Sequence, residues 1–227
     1  MTTRLPAAVL WDMDGTLVDT ERYWMAAEEE LVASFGGRWT HEDALGLVGS
    51  GLWEAAAVFQ AAGVDLDADT IVARLTARVK EQLAEHGVPW RPGARELLEA
   101  LREASVPTAL VTMSVRSMAD DVIGAIPFEA FDVIVTGDAV ENAKPHPEPY
   151  LAAAAALGVD VRQCVAIEDS PAGLTSAWAA GAVTVGVPNI LPLDEAPAHV
   201  LWQTLADKSV TDVAALLDAR DARKART

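Results

Sequence analysis

Cysteine is nearly absent from this 227-residue chain, and the single Cys164 excludes an internal disulfide bond. Proteins of reducing compartments share this feature, so we expect a cytoplasmic protein in which Cys164 serves as a small core hydrophobe. No run of 18 apolar residues occurs, so the sequence predicts no transmembrane helix. The apolar run near the start ends in two aspartates, Asp12 and Asp14, and therefore does not resemble a signal peptide.

Basic residues are also scarce, since 17 lysines and arginines face 34 aspartates and glutamates, for a formal net charge of −17. This imbalance opposes binding to nucleic acids and to anionic membranes. An anionic ligand would be repelled at long range, so it must be held by local cations, a metal ion or backbone N–H groups. The acidic run Glu28–Glu30 is interpreted as a solvated helix face.

The most informative stretch is an apolar strand at 7–11 that leads directly into Asp12, Asp14 and Gly15. Such a strand is typical of a parallel sheet buried on both faces, and ligands bind at the carboxyl ends of those strands. Two carboxylates this close repel each other unless a cation lies between them. Because hard oxygen ligands suit Mg²⁺, the pattern predicts a magnesium site. For this motif alone, a polar turn after a strand is an equally good interpretation.

Three further motifs follow in order along the chain. A second apolar run, Val106 to Thr112, ends in a hydroxyl group. Lys144 then lies in a loop framed by prolines, which restrict its conformations. A third apolar run, Cys164 to Asp169, ends in two adjacent carboxylates and is followed by a Ser-Pro-Ala-Gly turn. With the first motif, these segments resemble the haloacid dehalogenase superfamily, and within it the β-phosphoglucomutase-type phosphatases and mutases, which carry a small helical cap.

The resemblance implies a role for each motif residue. Asp12 would be the nucleophile that forms an aspartyl-phosphate, and Asp14 the general acid and base. Thr112 and Lys144 would bind the phosphoryl oxygens, and Gly15 would form the tight turn. The implied cofactor is Mg²⁺, and its predicted ligands are Asp12, Asp14 through its backbone carbonyl, Glu168 and Asp169. For Glu168 the alternative, a hydrogen-bond acceptor that supports the ligands without touching the metal, stays open.

Substrate contacts are predicted less sharply. Asp19 and Glu21 either face the substrate or simply begin the first helix, and both interpretations stay open. Gly49 belongs to the loop that the resemblance identifies as the cap loop reading the leaving group. Ser114 and Arg116 correspond to a stretch that grips a distal phosphate in the mutases, but a solvated arginine on a helix surface fits Arg116 equally well.

Hydrophobic periodicity predicts an all-helical insert at 19–88 within an α/β core formed by residues 1–18 and 89–227. Glycines end its helices, and Thr40 with Asp43 resembles a capping box. The tryptophans of the insert are expected in its own core, with a cleft-lining role as the alternative. The core alternates helix and strand, which predicts a doubly wound parallel sheet. Predicted strands are 7–11, 108–112, 133–136, 164–168 and 183–187; predicted helices are 20–35, 52–62, 69–86, 94–104, 115–124, 147–157, 172–180 and 210–217, with fraying expected at 219–227.

The sequence therefore predicts a Mg²⁺-dependent phosphatase that acts on a small phosphorylated metabolite, as a monomer or weak homodimer. The first alternative is a sugar-phosphate mutase. It is disfavoured because the mutases carry a basic residue soon after the cap-loop glycine, whereas no Arg or Lys occurs here between Gly49 and Arg74. The second alternative, a non-catalytic ligand-binding relative, is disfavoured because every motif residue is present.

Overall fold

A six-stranded, entirely parallel sheet forms the centre of the molecule in the computed structural model, which describes residues 4–224. Its strands are β1 (Ala8–Trp11), β2 (Thr108–Val111), β3 (Val133–Val135), β4 (Cys164–Glu168), β5 (Val183–Gly186) and β6 (Val200–Leu201). Within the described range the α-helices are α1 (Glu21–Ser34), α2 (His41–Leu45), α3 (Leu52–Ala61), α4 (Ala68–His86), α5 (Ala94–Glu103), α6 (Arg116–Gly124), α7 (Glu148–Leu157), α8 (Pro171–Ala180) and α9 (Val210–Lys224).

The strand order β3-β2-β1-β4-β5-β6 makes β1 the neighbour of both β2 and β4. Trp11, the last residue of β1, pairs with Leu110 on one side and with Ile167 on the other. The order of the strands reverses between β1 and β4, which is where open α/β sheets bind their ligands. The three strands that precede the predicted catalytic residues thus end side by side at one edge.

The interior lies on both faces of the sheet, as the doubly wound prediction requires. One apolar cluster packs β1 and β4 against α5, α6 and α9 and extends into the helical insert. The second packs the opposite face against α7 and α8, with Tyr150 as its largest fully buried side chain. Every residue of β1 and β4 is buried, because helices cover the sheet on both sides. The predicted fold class is confirmed.

Helices α1 to α4 form the inserted cap, in which α4 packs against α1 and α3. The two linkers to the core lie side by side, because the Asp19 amide donates to the Pro89 carbonyl at 2.7 Å and the Arg91 amide donates to Leu17 at 3.0 Å. The capping box is confirmed: Thr40 Oγ1 accepts from the Asp43 amide at 3.2 Å. The exact boundaries after residues 18 and 88 stay a prediction.

Two elements differ from the expectation. Strand β6 was not predicted, because two half-buried residues show no periodicity. Helix α9 continues to Lys224 instead of ending at Leu217, since the alanines and arginines beyond it are good helix formers. Residues 219–224 are therefore helical rather than frayed, and residues 225–227 lie outside the described range. Within residues 4–224, no helix combines the length and apolar character needed to cross a membrane.

Candidate active site

Three buried carboxylates, from Asp12, Glu168 and Asp169, meet where β1 and β4 end. Each offers an oxygen atom within 4.8 Å of the others. Among the described residues, Asp12 Oδ2 and Asp169 Oδ2 are buried without a hydrogen-bond partner. An unsatisfied buried carboxylate oxygen is costly, so these two atoms fit a site that binds a cation.

Gly15 brings the backbone against this cluster. It adopts a left-handed conformation with φ of 87°, and a Cβ atom at this position would overlap the Asp169 carboxylate. Glycine is therefore required here for both conformation and space. The donor set, all carboxylate oxygens in a close-packed cradle, fits the hard, oxygen-seeking Mg²⁺ ion.

Lys144 is the cation that the described residues place among these carboxylates. Its Nζ donates to Asp12 Oδ1 at 2.7 Å, to Glu168 Oε1 at 2.6 Å and to the Val111 carbonyl at 2.8 Å. Its side chain is only 1% exposed, although the sequence placed it in a loop. Glu168 is held further by Tyr150, whose hydroxyl donates to Oε1 at 2.7 Å. Lys144 is therefore fixed in position by three acceptors.

One ammonium group does not balance three carboxylates. Burial raises the pKa of Asp12 to about 7, the negative charge of Glu168 adds to this rise, and Lys144 offsets only part of it. Burial and the charges of Asp12 and Glu168 also raise the pKa of Asp169 well above its usual value. Burial alone would lower the pKa of Lys144, but Asp12 and Glu168 outweigh it and raise that pKa. Lys144 stays charged, and the cluster favours a further cation.

Asp14 lies at the junction between the core and the cap. Its Oδ1 accepts from Thr20 Oγ1 at 2.5 Å and from Trp24 Nε1 at 3.0 Å. Its Oδ2 accepts from Ser114 Oγ at 2.7 Å and from Thr112 Oγ1 at 3.2 Å. The Asp14 side chain is thus oriented by hydroxyl groups and an indole, and it is not part of the carboxylate cluster. Its predicted metal contact, through the backbone carbonyl, stays a prediction.

A cavity between cap and core lies over these residues. Of the predicted site residues, those that line it are Asp12, Asp14, Glu21, Gly49, Thr112, Ser114, Lys144 and Asp169. Gly49, with φ of 81°, packs so closely on the core that a Cβ atom there would lie 2.7 Å from Ser170 Oγ. The cap loop therefore closes directly over the end of β4.

Three predicted substrate contacts do not line this cavity, and one of them, Gly15, packs against Asp169 as described above. Asp19 Oδ1 accepts from Asn189 Nδ2 at 3.2 Å, in the linker to the cap. Arg116 is exposed and pairs with Asp120 one helical turn away, at 2.7 Å. The structure thus favours the alternative interpretation of Arg116, a solvated arginine on a helix surface.

Sequence reasoning missed part of the cavity wall. Glu28 was interpreted as part of a solvated face, and this is wrong: it is buried, and its Oε2 accepts from Trp39 Nε1 at 3.1 Å. Of the three glutamates in the acidic run, only Glu29 and Glu30 are exposed. The available signal was the spacing of residues 21, 24, 25 and 28, which places them on one face of α1. The carboxylate at 28 belongs to that face and not to the acidic run.

Two of the cap tryptophans differ in role. Trp39 packs on Phe59 with ring centroids 4.9 Å apart, as expected for a residue of the cap core. Trp24 lines the cavity and binds Asp14, which matches the alternative that at least one tryptophan faces the cleft.

A parallel sheet with clustered acids and a buried lysine at its carboxyl edge, under a helical cap, defines the class of capped α/β hydrolases. The chain belongs to the haloacid dehalogenase-like hydrolases, whose family model matches residues 9–187. Hexitol phosphatase B of Escherichia coli is 32% identical over 82% of this chain and 86% of its own length. Fructose-1-phosphate phosphatase YqaB of Escherichia coli is 30% identical over 80% of this chain and 96% of its own.

Structural comparison shows that the chain shares its fold with a solved β-phosphoglucomutase. The crystal structure of β-phosphoglucomutase from Clostridium difficile superposes with a TM-score of 0.84. The match covers 96% of this chain and all of that one, at 22% sequence identity. At that identity the likeness shows the fold, including the helical cap, and leaves the reaction to the residues of the site.

Proposed function

We propose that this protein is a Mg²⁺-dependent phosphatase that hydrolyses a small sugar phosphate or related phosphomonoester through an aspartyl-phosphate on Asp12. The observation that carries the proposal is the meeting of Asp12, Asp14, Lys144 and Asp169 around one cavity. The phosphatase names of relatives at 30% and 32% identity support the same reaction class.

In the proposed first step, the Asp12 carboxylate attacks phosphorus and the bond from phosphorus to the ester oxygen breaks. Asp14 gives its proton to the departing alkoxide, so the alcohol leaves neutral. Lys144 fixes the Asp12 carboxylate through Oδ1, and the hydroxyls of Thr112 and Ser114, which line the same cavity, orient Asp14 by donating to its Oδ2. A bound Mg²⁺, held by Asp12, Asp169 and Glu168, would supply positive charge that the carboxylates alone lack.

In the second step, Asp14 accepts a proton from water as the water oxygen attacks the phosphorus of the aspartyl-phosphate, and the bond from phosphorus to the Asp12 oxygen breaks. Inorganic phosphate leaves, and Asp12 and Asp14 return to their starting protonation states. The position of Asp14 in the same cavity supports this double role. Closure of the cap loop over the site strengthens the electrostatic interactions inside it.

The cavity wall favours hydrolysis over mutase chemistry. Among the described residues that line it, Lys144 is the only cation, and its ammonium group is already engaged by Asp12, Glu168 and Val111. A mutase must hold a substrate with phosphate at both ends, and no cation is available at the cap end. A non-catalytic relative is disfavoured because the site brings the complete set of motif residues together. The cytoplasmic location and the monomeric or weakly dimeric state stay predictions.

The proposal is tested by measuring phosphate release from a panel of phosphorylated metabolites, with Mg²⁺ and with EDTA. We expect release from sugar and polyol monophosphates with Mg²⁺, loss of activity with EDTA, and recovery when excess Mg²⁺ is added. Isomerisation of a sugar phosphate that depends on a bisphosphate primer would support the mutase instead. Binding of Mg²⁺ with no turnover of any phosphate ester would support the non-catalytic alternative.

A further inference from the structure

One face of helix α1 forms a wall of the cavity. Glu21, Trp24, Met25 and Glu28 all line it, with the spacing that places residues on one side of a helix. Glu21 lines the same cavity as Asp12 and Asp14. Glu28 lies seven residues further, or about 10 Å along the helix axis. The wall therefore carries a carboxyl group at each end, spaced to flank a sugar-sized molecule.

Neither carboxyl group has its hydrogen-bonding capacity filled by the protein. Glu21 is 6% exposed, and its side chain makes no hydrogen bond within the described residues. Glu28 is 8% exposed and uses Oε2 for Trp39, which leaves Oε1 without a protein partner. Both glutamates line the cavity, and their remaining oxygens have no partner among the described residues, so this wall fits a ligand that donates hydrogen bonds from hydroxyl groups.

The electrostatic character of this end of the cavity restricts that ligand. Burial raises the pKa of Glu21 to about 8, with the charges of Asp14 and Glu28 adding to the rise, and burial raises the pKa of Glu28 to about 7. The facing cap surface is apolar, and among the described lining residues Lys144 alone carries positive charge. The residues of that apolar surface are Ala44, Leu47, Leu52 and Ala55. An anionic group placed here would meet acidic groups and no cation.

We propose that Glu28, together with Glu21, determines substrate specificity by accepting hydrogen bonds from the hydroxyls of an uncharged polyol leaving group, while excluding leaving groups that carry a second anion. This inference rests on the proposed phosphatase function and names the substrate class of that same site. Trp39 is the positioning residue, since its indole N–H binds Oε2 of Glu28, a residue that lines the cavity, and leaves Oε1 available as an acceptor.

The test compares Glu28→Gln and Glu28→Leu with wild type, and uses Glu29→Gln as the matched control on the exposed side of α1. Four substrates are assayed: sorbitol 6-phosphate, fructose 6-phosphate, fructose 1,6-bisphosphate and phenyl phosphate. A fifth, glucosamine 6-phosphate, asks whether a cation is preferred over a neutral polyol. The readouts are kcat and KM separately, because a merely structural defect would lower turnover of all substrates alike.

Glu28→Leu removes both acceptors, so the preference for sorbitol 6-phosphate over phenyl phosphate in kcat/KM should fall about tenfold or more, mainly through KM. The assays are run at about pH 9, above the pKa of about 7 that burial gives Glu28, so that the wild-type side chain is charged. Glu28→Gln then keeps the shape and one acceptor but loses the negative charge. Activity on fructose 1,6-bisphosphate relative to fructose 6-phosphate should therefore rise about tenfold. Glu29→Gln should leave both ratios at the wild-type values.

Unchanged ratios in both Glu28 variants would overturn the inference while the phosphatase function stands. A wild-type preference for glucosamine 6-phosphate or for the bisphosphate would overturn it as well. If wild type hydrolyses none of the phosphate esters, the proposed function itself fails. Should Glu28→Leu fail to fold by circular dichroism, the charge-removing Glu28→Gln decides alone.

Discussion

Asp12→Asn is expected to lower phosphate release by more than about a thousandfold, the largest effect of any single change in this protein. The amide nitrogen and oxygen of asparagine are poor nucleophiles toward phosphorus, so no aspartyl-phosphate forms. The side chain keeps its size, and its oxygen can still accept from Lys144 Nζ, which lies 2.7 Å from Asp12 Oδ1. We therefore expect loss of turnover without loss of the fold.

Thermal unfolding distinguishes a loss of catalysis from a loss of the fold. Asp12→Asn removes one of three buried carboxylates that repel each other, so its metal-free melting temperature should not fall below that of wild type. Asp65→Asn, the same change at an exposed aspartate of the cap, is the control and should keep full activity. Activity of Asp12→Asn within tenfold of wild type would remove Asp12 from the role of nucleophile.

Asp169→Asn is expected to have the second-largest effect, through the metal. Its Oδ2 is buried and has no hydrogen-bond partner among the described residues, and replacing the carboxylate by a neutral amide removes a negative charge that would hold Mg²⁺. A ligand that binds only the folded state stabilises it, so wild type should melt at a higher temperature as Mg²⁺ is added. In Asp169→Asn this shift should disappear over the same concentrations, and the Mg²⁺ needed for activity should rise sharply.

The thermal shift does not depend on turnover, so it distinguishes metal binding from catalysis. Asp138→Asn serves as the comparison, because Asp138 lies in a separate loop where it binds the amide of Arg116. An unchanged Mg²⁺ dependence of both melting and activity in Asp169→Asn would remove Asp169 from the metal site and leave it a structural role, such as its hydrogen bond from Thr16.

The meeting of the acidic residues in the core was predictable because it follows from the ends of neighbouring parallel strands. Asp12 directly follows β1, and Glu168 ends β4. These strands are neighbours in a parallel sheet, so their ends must meet. Lys144 needed more than the sequence pattern, since nothing in a proline-framed loop shows that its ammonium group lies buried among carboxylates. Its three acceptors come from residues 24 to 132 positions away.

The sequence predicted the helices of the cap but not which residues of those helices line the cavity. Glu28 was predicted to be exposed because it begins an acidic run. At this position local charge predicts exposure, whereas helical periodicity predicts burial. Periodicity was the better guide, because the helix face that packs inward is set by spacing and not by the chemistry of neighbouring residues. Arg116 was a candidate substrate contact because it closely follows Thr112 along the chain. In the structure, helix α6 turns its side chain toward Asp120 instead.

The central claim is that Asp12 carries the phosphoryl group and that Asp14 brings water to it. The most direct measurement forms the phosphoenzyme with radiolabelled acetyl phosphate, maps the label to a residue, and follows its decay by rapid quench in wild type and Asp14→Ala. The account predicts label on Asp12, fast hydrolysis without any acceptor, and decay slowed strongly in Asp14→Ala. Label on another residue, or a long-lived phosphoenzyme that discharges only when a sugar phosphate is added, would contradict it.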